Sequence, residues 1–230
     1  MHALDIVLNF FREGGIFLYP LALVWVVGLV IAFERFGFIL RVGAGNKAMW
    51  SQVQPLLEAG KFREALSAVS NSDTALAHIM RYGITRIQTA RRRDDIEKAL
   101  EESLVEVIPR LEKRTHYLGT FANLATLLGL LGTVSGLIHA FTAVASANPA
   151  EKANLLAASI SEAMNCTAFG LMVAVPLLFI HAFLQTKTAD LIGSLETAAM
   201  KFLTLVGDRQ SARMQTRLEL AQLPKDQKAA

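Results

Sequence analysis

"LGTFANLATLLGLLGTVSGLIHAFTAVA", residues 118–145, runs without a single formally charged side chain. A bilayer core of about 30 Å takes roughly 20 helical residues to cross, and this stretch is longer than that. Hydrocarbon offers no water to satisfy peptide groups, so such a run must be helical. Its centre, "LLGLLGTVSG" at 127–136, nevertheless holds three glycines and two hydroxyls. Glycine weakens a helix by about 1 kcal/mol against alanine. A membrane helix built of weak formers at its middle needs a reason, and the reason lies in what must approach it.

Two more charge-free runs are long enough to span. Gly14–Phe33 is closed by Glu34-Arg35, and Ala163–Thr186 is ended by Lys187. With 53% hydrophobic and 19% charged residues and a mean hydropathy of +0.37, the composition is that of a membrane protein with polar excursions. A net charge of +3 is modest, and the triplet Arg91-Arg92-Arg93 runs straight into Asp94-Asp95, which argues against a nucleic-acid groove. The single Cys166 excludes an intrachain disulfide. The N-terminus lacks a signal-peptide pattern, so the apolar runs are expected to persist in the mature protein. Scattered histidines offer no metal-ligand spacing, and no phosphate loop or nucleophile elbow is present. No metal, cofactor or enzymatic activity is expected.

Charge asymmetry orients the chain. Thirteen Lys/Arg lie between Arg41 and Arg114 and seven from Lys187 onward, against Arg12 alone before Gly14 and Lys152 alone between the second and third runs. The positive-inside rule puts the large loop and tail in the cytoplasm and the N-terminus outside. The resulting division is an outer interfacial segment at 1–13, spans at 14–35, 115–147 and 161–186, a cytoplasmic helical domain at 36–114, an outer loop at 148–160, and a cytoplasmic C-terminal helix and tail at 187–230. Leu4, Val7, Leu8 and Phe11 share one helical face, which fits an interfacial helix or simply a frayed end. In the loop, helices are expected to meet at Gly60 and to break again at Asn71–Asp73. Asp94-Asp95 suit a helix start. The stripe Ile96, Leu100, Leu104, Val107, Leu111, Leu118 predicts one helix running unbroken into the second span, kinked but not ended by Pro109. The fold class is an all-α membrane protein: three transmembrane helices, a helical cytoplasmic loop, and long helices continuing from membrane into cytoplasm.

At about 100° per residue, Gly129, Gly132, Thr133, Gly136 and Ala140 fall on one side of the second span. Gly132-x-x-x-Gly136 lets another helix come close, and tight packing alone accounts for the glycines. Thr133 adds an uncharged hydroxyl that can line a narrow polar path. "SEAMNCTAFG" places Ser161, Glu162, Asn165, Cys166 and Thr167 at the outer start of the third span. An acid there is either a functional group or an interfacial residue snorkelling to water. Pro176 is tolerable only where neighbouring helices satisfy the carbonyl it frees. Because the small-residue faces of spans two and three each need a partner, a homo-oligomeric ring is expected.

"LLGLLGTVSGLIHAF" followed by "ISEAMNCTAFGLMVAVP" closely resembles the two signature segments of the ExbB/TolQ/MotA proton-channel family. The likeness extends to the three-span layout, to Tyr19-Pro20 and Glu34-Arg35 of the first span, and to the charged helix before span two. Three spans rather than four are similar to the ExbB/TolQ branch. Two departures are Thr126, where a proline is frequent, and Cys166, where a small or hydroxyl residue is commoner. The resemblance implies that Thr133 and Thr167 line a proton path, that Glu162 is its outer-end acid, and that Gly129, Gly132, Gly136, Gly170 and Pro176 serve helix packing. It also implies a pentamer in the bacterial inner membrane around an ExbD/TolR-like single-span partner whose membrane aspartate carries the proton, since no Asp or Glu lies deep in these spans. Proton-motive force would thereby drive mechanical work. His139, about 240° around the helix from Thr133, is expected to face away from the path, and His181 is a weak candidate relay. The competing reading is a non-conducting membrane scaffold that binds proteins through its cytoplasmic helices.

Overall fold

The charge-free runs all become helix: the first opens one long helix, the second fills nearly all of another, and the third lies within a third. In the computed structural model, which describes residues 15–87 and 93–222 with side chains through 207, the chain is all-helical, with no strand among the described residues. The helices are α1 (Leu18–Ala59), α2 (Phe62–Ser70), α3 (Ala75–Ile87), α4 (Arg93–Glu112), α5 (Thr115–Ser146) and α6 (Lys152–Gln222). Three stretches are long and apolar enough to cross a membrane, in α1, in α4–α5 and in α6. The segment 1–13, where an interfacial helix was one expectation, lies outside the described residues.

Two compact units result. One takes the residues up to Gly37 together with Glu112–Lys187; the other takes Phe38–Leu111 together with the residues from Thr188 on. The first turns large apolar side chains outward. Phe33, Phe141 and Phe179 point outward at 75%, 66% and 74% exposure, a surface that water would not tolerate and lipid or another subunit covers. Pro20 falls in the first turn of α1, where a missing N–H leaves nothing unbonded.

The second unit has a conventional apolar core. Met49, Val53 and Leu57 of α1, Ile79, Met80 and Ile84 of α3, and Ile96, Leu100 and Val107 of α4 close around Leu195, Phe202 and Leu203 of α6. Phe202 is fully buried. Gly83 makes room for it, because a Cβ there would lie 2.7 Å from the ring and 2.8 Å from Leu100. The C-terminal helix is thus part of this core, whereas its sequence reads as a separate tail. Gly60 ends α1 at φ +75°, its N–H on Leu57 O at 3.0 Å and that of Lys61 on Leu56 O at 2.9 Å, a Schellman closure. Asn46 Oδ1 accepts the Leu76 N–H at 3.1 Å and Thr74 Oγ1 that of Ala77 at 3.3 Å, which caps α3.

Two expectations are overturned. The helix entering the second span is broken. Pro109 is absorbed within α4, and the interruption comes at Lys113-Arg114, where Arg114 takes φ +69°. A left-handed residue with a Cβ is strained by roughly 1–3 kcal/mol; here the Arg114 guanidinium is ion-paired to Glu34 and its carbonyl accepts the Tyr117 N–H. The non-helical connection expected at 148–160 is also shorter, because α6 already begins at Lys152. "KANLLAA" is rich in strong helix formers, so the chain turns within Ala147–Glu151 and coils at once.

Candidate functional site

Spans two and three run antiparallel and meet through their smallest residues. A Cβ on Gly129 would lie 3.3 Å from the Cα atoms of both Gly170 and Thr167. Gly132 lies against Cys166, and Gly136 against Ala163, whose Cβ would be 2.7 Å from one added there. The glycines of span two thus pack on span three of the same chain. This corrects the argument that each small face needs a second subunit: the two faces occupy each other. Pro176 differs from the glycines. It stands exposed on the outward side of α6, as does Met172, whose carbonyl it frees, so a packing role for it requires another chain.

At this close approach lie the two threonines. Thr167 Oγ1 donates across the seam to the Gly129 carbonyl at 2.8 Å. Thr133 Oγ1 donates to the next carbonyl along, Leu130 O, at 2.7 Å. Both side chains are half-buried. The consequence is chemical. With their hydrogens committed to backbone oxygens, both hydroxyls present lone pairs and are ready to accept a hydrogen bond from an O–H or N–H group. Neither stores a proton.

Glu162 sits elsewhere. Its carboxylate lies against Gly15, at φ +73°, just before α1 begins. It is ten residues into α6, not at that helix's start. His139 is exposed. Cys166 is buried against Gly132.

The opposite end of the unit holds a group that the sequence did not assemble. Arg35, only 4% exposed, donates from Nε to Thr115 Oγ1 at 3.3 Å. The Thr115 carbonyl faces His181 Nδ1 at 3.0 Å, and the His116 ring lies 6.4 Å from that of His181. Glu34-Arg35 and His181 were visible singly; Thr115, which joins them, gave no sequence signal. Further contacts seat α1 on α6: Gly28 on Leu177, Trp25 edge-on to Phe169 at 6.3 Å, and Phe36 stacked with Phe183 at 6.4 Å.

Residues 71–197, which take in the α5–α6 crossing and both threonines, match the MotA/TolQ/ExbB proton channel family. The chain belongs to that family. Among similar proteins, an ExbB homologue of Methanothermobacter thermautotrophicus is 26% identical over 202 residues, covering 83% of this chain and 67% of the relative. The biopolymer transport protein ExbB of Pseudomonas putida is 26% identical over 79% of this chain and 55% of its own length. The Tol-Pal system protein TolQ of Pseudomonas aeruginosa is 23% identical over 79% of this chain and 82% of its own length. These place the chain on the ExbB/TolQ branch, with an energy-transduction role of the proton-channel type.

Proposed function

We propose that this chain is the proton-conducting subunit of an inner-membrane motor that couples proton-motive force to mechanical work through an ExbD/TolR-like single-span partner. The observation that carries this reading is the pair of hydroxyls, Thr133 and Thr167, bonded to the adjacent carbonyls of Leu130 and Gly129 in an otherwise apolar seam. A packing seam does not need them. A carboxyl group brought to that place from a partner helix meets two acceptors and few donors. In an apolar setting such a group is favoured in its neutral form, and its O–H has a ready acceptor. The protonated carrier is therefore bound at the threonines, and the ionised one is released toward water.

The chain supplies the wall and the partner the titrating group, with copies of this chain arranged as a ring, a pentamer by family likeness. Lys/Arg distribution supports an N-terminus outside and the large loop and C-terminus in the cytoplasm. The test is co-purification with a single-span protein carrying one membrane aspartate, followed by proton uptake in liposomes. Conduction that the partner aspartate-to-asparagine change abolishes supports the reading. A complex that assembles and binds but passes no protons leaves the scaffold reading standing.

A further inference from the structure

The α5–α6 seam carries two polar contacts of the same build. Thr167 meets the carbonyl of Gly129, and His181 meets that of Thr115. On α6 the two side chains are fourteen residues apart, as are their carbonyl partners on α5. Fourteen residues are about four turns, roughly 21 Å of helix, so the second contact repeats the first on the same side of the seam. The difference is chemical: the second contact is made by a side chain that titrates.

A carbonyl oxygen can only accept, so His181 Nδ1 must carry its hydrogen. That fixes the tautomer and leaves Nε2 as the basic nitrogen. Gly119 lies directly beneath: an added Cβ would stand 3.0 Å from Nε2, so the glycine keeps a side chain off the imidazole. The ring is half-buried and His116 beside it is exposed, a route from the seam to water. The other charged groups at this end are Arg35, Glu112, Lys113, the Glu34–Arg114 pair and Lys187, which stands over the Phe183 ring at 5.9 Å.

Resting on the proton-conducting reading above, we propose that His181 is the proton-accepting group at the charged end of the membrane unit, the cytoplasmic end in the proposed orientation. Nε2 takes a proton delivered through water, forming the imidazolium while Nδ1–H stays on Thr115 O. It then returns the proton from Nε2 to water on the His116 side, which regenerates the neutral ring. Thr115, held by Arg35, acts as the positioning residue. A neutral imidazole carries an N–H and a basic nitrogen at once, so it can hold Thr115 O through one and take a proton at the other.

The test uses the complex with its partner in liposomes, wild type beside His181→Asn, which keeps an N–H for Thr115 O but cannot take a proton. Proton flux is expected to fall about tenfold or more, to lose its dependence on inner-side pH, and to recover with imidazole added inside. His181→Asn conducting at the wild-type rate with the wild-type pH profile overturns the inference alone; a wild-type complex that carries no protons removes it together with the proposed function. Should the variant fail to assemble, nitrogen-15 histidine spectra of the wild-type complex decide. Nε2 must gain and lose its proton as the inner-side pH is varied while Nδ1 stays protonated, and an Nε2 locked in one state overturns the assignment.

Discussion

Gly129 and Gly170 hold spans two and three in backbone contact: a Cβ on Gly170 would stand 3.0 Å from the Gly129 Cα and 2.8 Å from the Ala125 carbonyl oxygen. Backbone atoms cannot swing aside as a side-chain tip can. Gly170→Ala is therefore expected to force the helices apart, at about 1–3 kcal/mol for overpacking, and to lower the melting temperature by several degrees. Gly129→Ala, whose Cβ meets its neighbours at 3.3 Å, should do less. Gly28→Ala meets the flexible side chain of Leu177, its terminal methyls at 2.8 and 3.0 Å, and should do least. Thermal melting in mild detergent checks the order, and equal effects at all three sites would mean that the crossing is not set by these contacts.

The same crossing separates stability from conduction. Thr167→Val removes one interhelical hydrogen bond, worth about 0.5–1.5 kcal/mol, from a carbonyl that the helix itself also engages. Thr133→Val removes only a bond within its own turn. Both variants are expected to fold and assemble with small losses in melting temperature, yet to lose proton uptake and energised function, because an apolar methyl replaces an acceptor. Wild-type flux from both would reduce the threonines to packing residues.

Much of this arrangement is legible in the sequence. Runs free of charge announce the three spans because hydrocarbon permits little else. Gly60 and Asn71–Asp73 mark helix ends through turn chemistry that acts locally. What stays hidden is whatever depends on distant partners. The stripe Leu191, Leu195, Phe202, Val206 has helical spacing, but nothing in it says that α3 and α4 will cover it. The glycine faces say that something small-sided must approach, not that it is the next span of the same chain. Of the site, Thr133 and Thr167 could be picked out as intramembrane hydroxyls with a family likeness. That their donors would be taken by adjacent carbonyls is a matter of tertiary geometry, as is the meeting of Arg35, Thr115 and His181.

The break at Arg114 is the other feature with no sequence signature, since a left-handed conformation usually selects glycine. Arg114→Gly relieves the strain but loses the ion pair with Glu34; Arg114→Ala loses the pair and keeps the strain. With both partners 48% exposed, the pair contributes about 0.2–1 kcal/mol. Arg114→Gly is therefore expected to melt at or above wild type and Arg114→Ala below it. Glu34→Gln should lower the melting of the wild type but leave that of Arg114→Gly unchanged. If alanine and glycine melt alike, the conformation carries no strain and the ion pair alone sets this joint.

Glu162 lies well inside its helix, ten residues after the first. Read as the first turn of the third span, it would be stabilised by the positive end of its own helix. With α6 starting at Lys152 that support is gone, and the carboxylate lies instead against Gly15, beside the beginning of α1. Two roles remain distinguishable. As a mouth acid it concentrates cations over a Debye length of about 8 Å, and Glu162→Gln then slows flux without affecting melting. As a clasp between α6 and α1 it holds the unit together, and the same change lowers melting by an amount matching about 0.3–1 kcal/mol while flux per assembled ring is kept. Gly15→Ala sharpens the contrast, because it pushes the carboxylate aside without removing its charge, and its own left-handed φ adds strain. We expect the mouth role: Gly15→Ala retains flux at reduced melting temperature, whereas Glu162→Gln retains melting at reduced flux. Raising ionic strength should then depress wild-type flux toward that of Glu162→Gln and leave the variant unchanged. Flux that ignores both the substitution and the salt would take Glu162 out of the proton path.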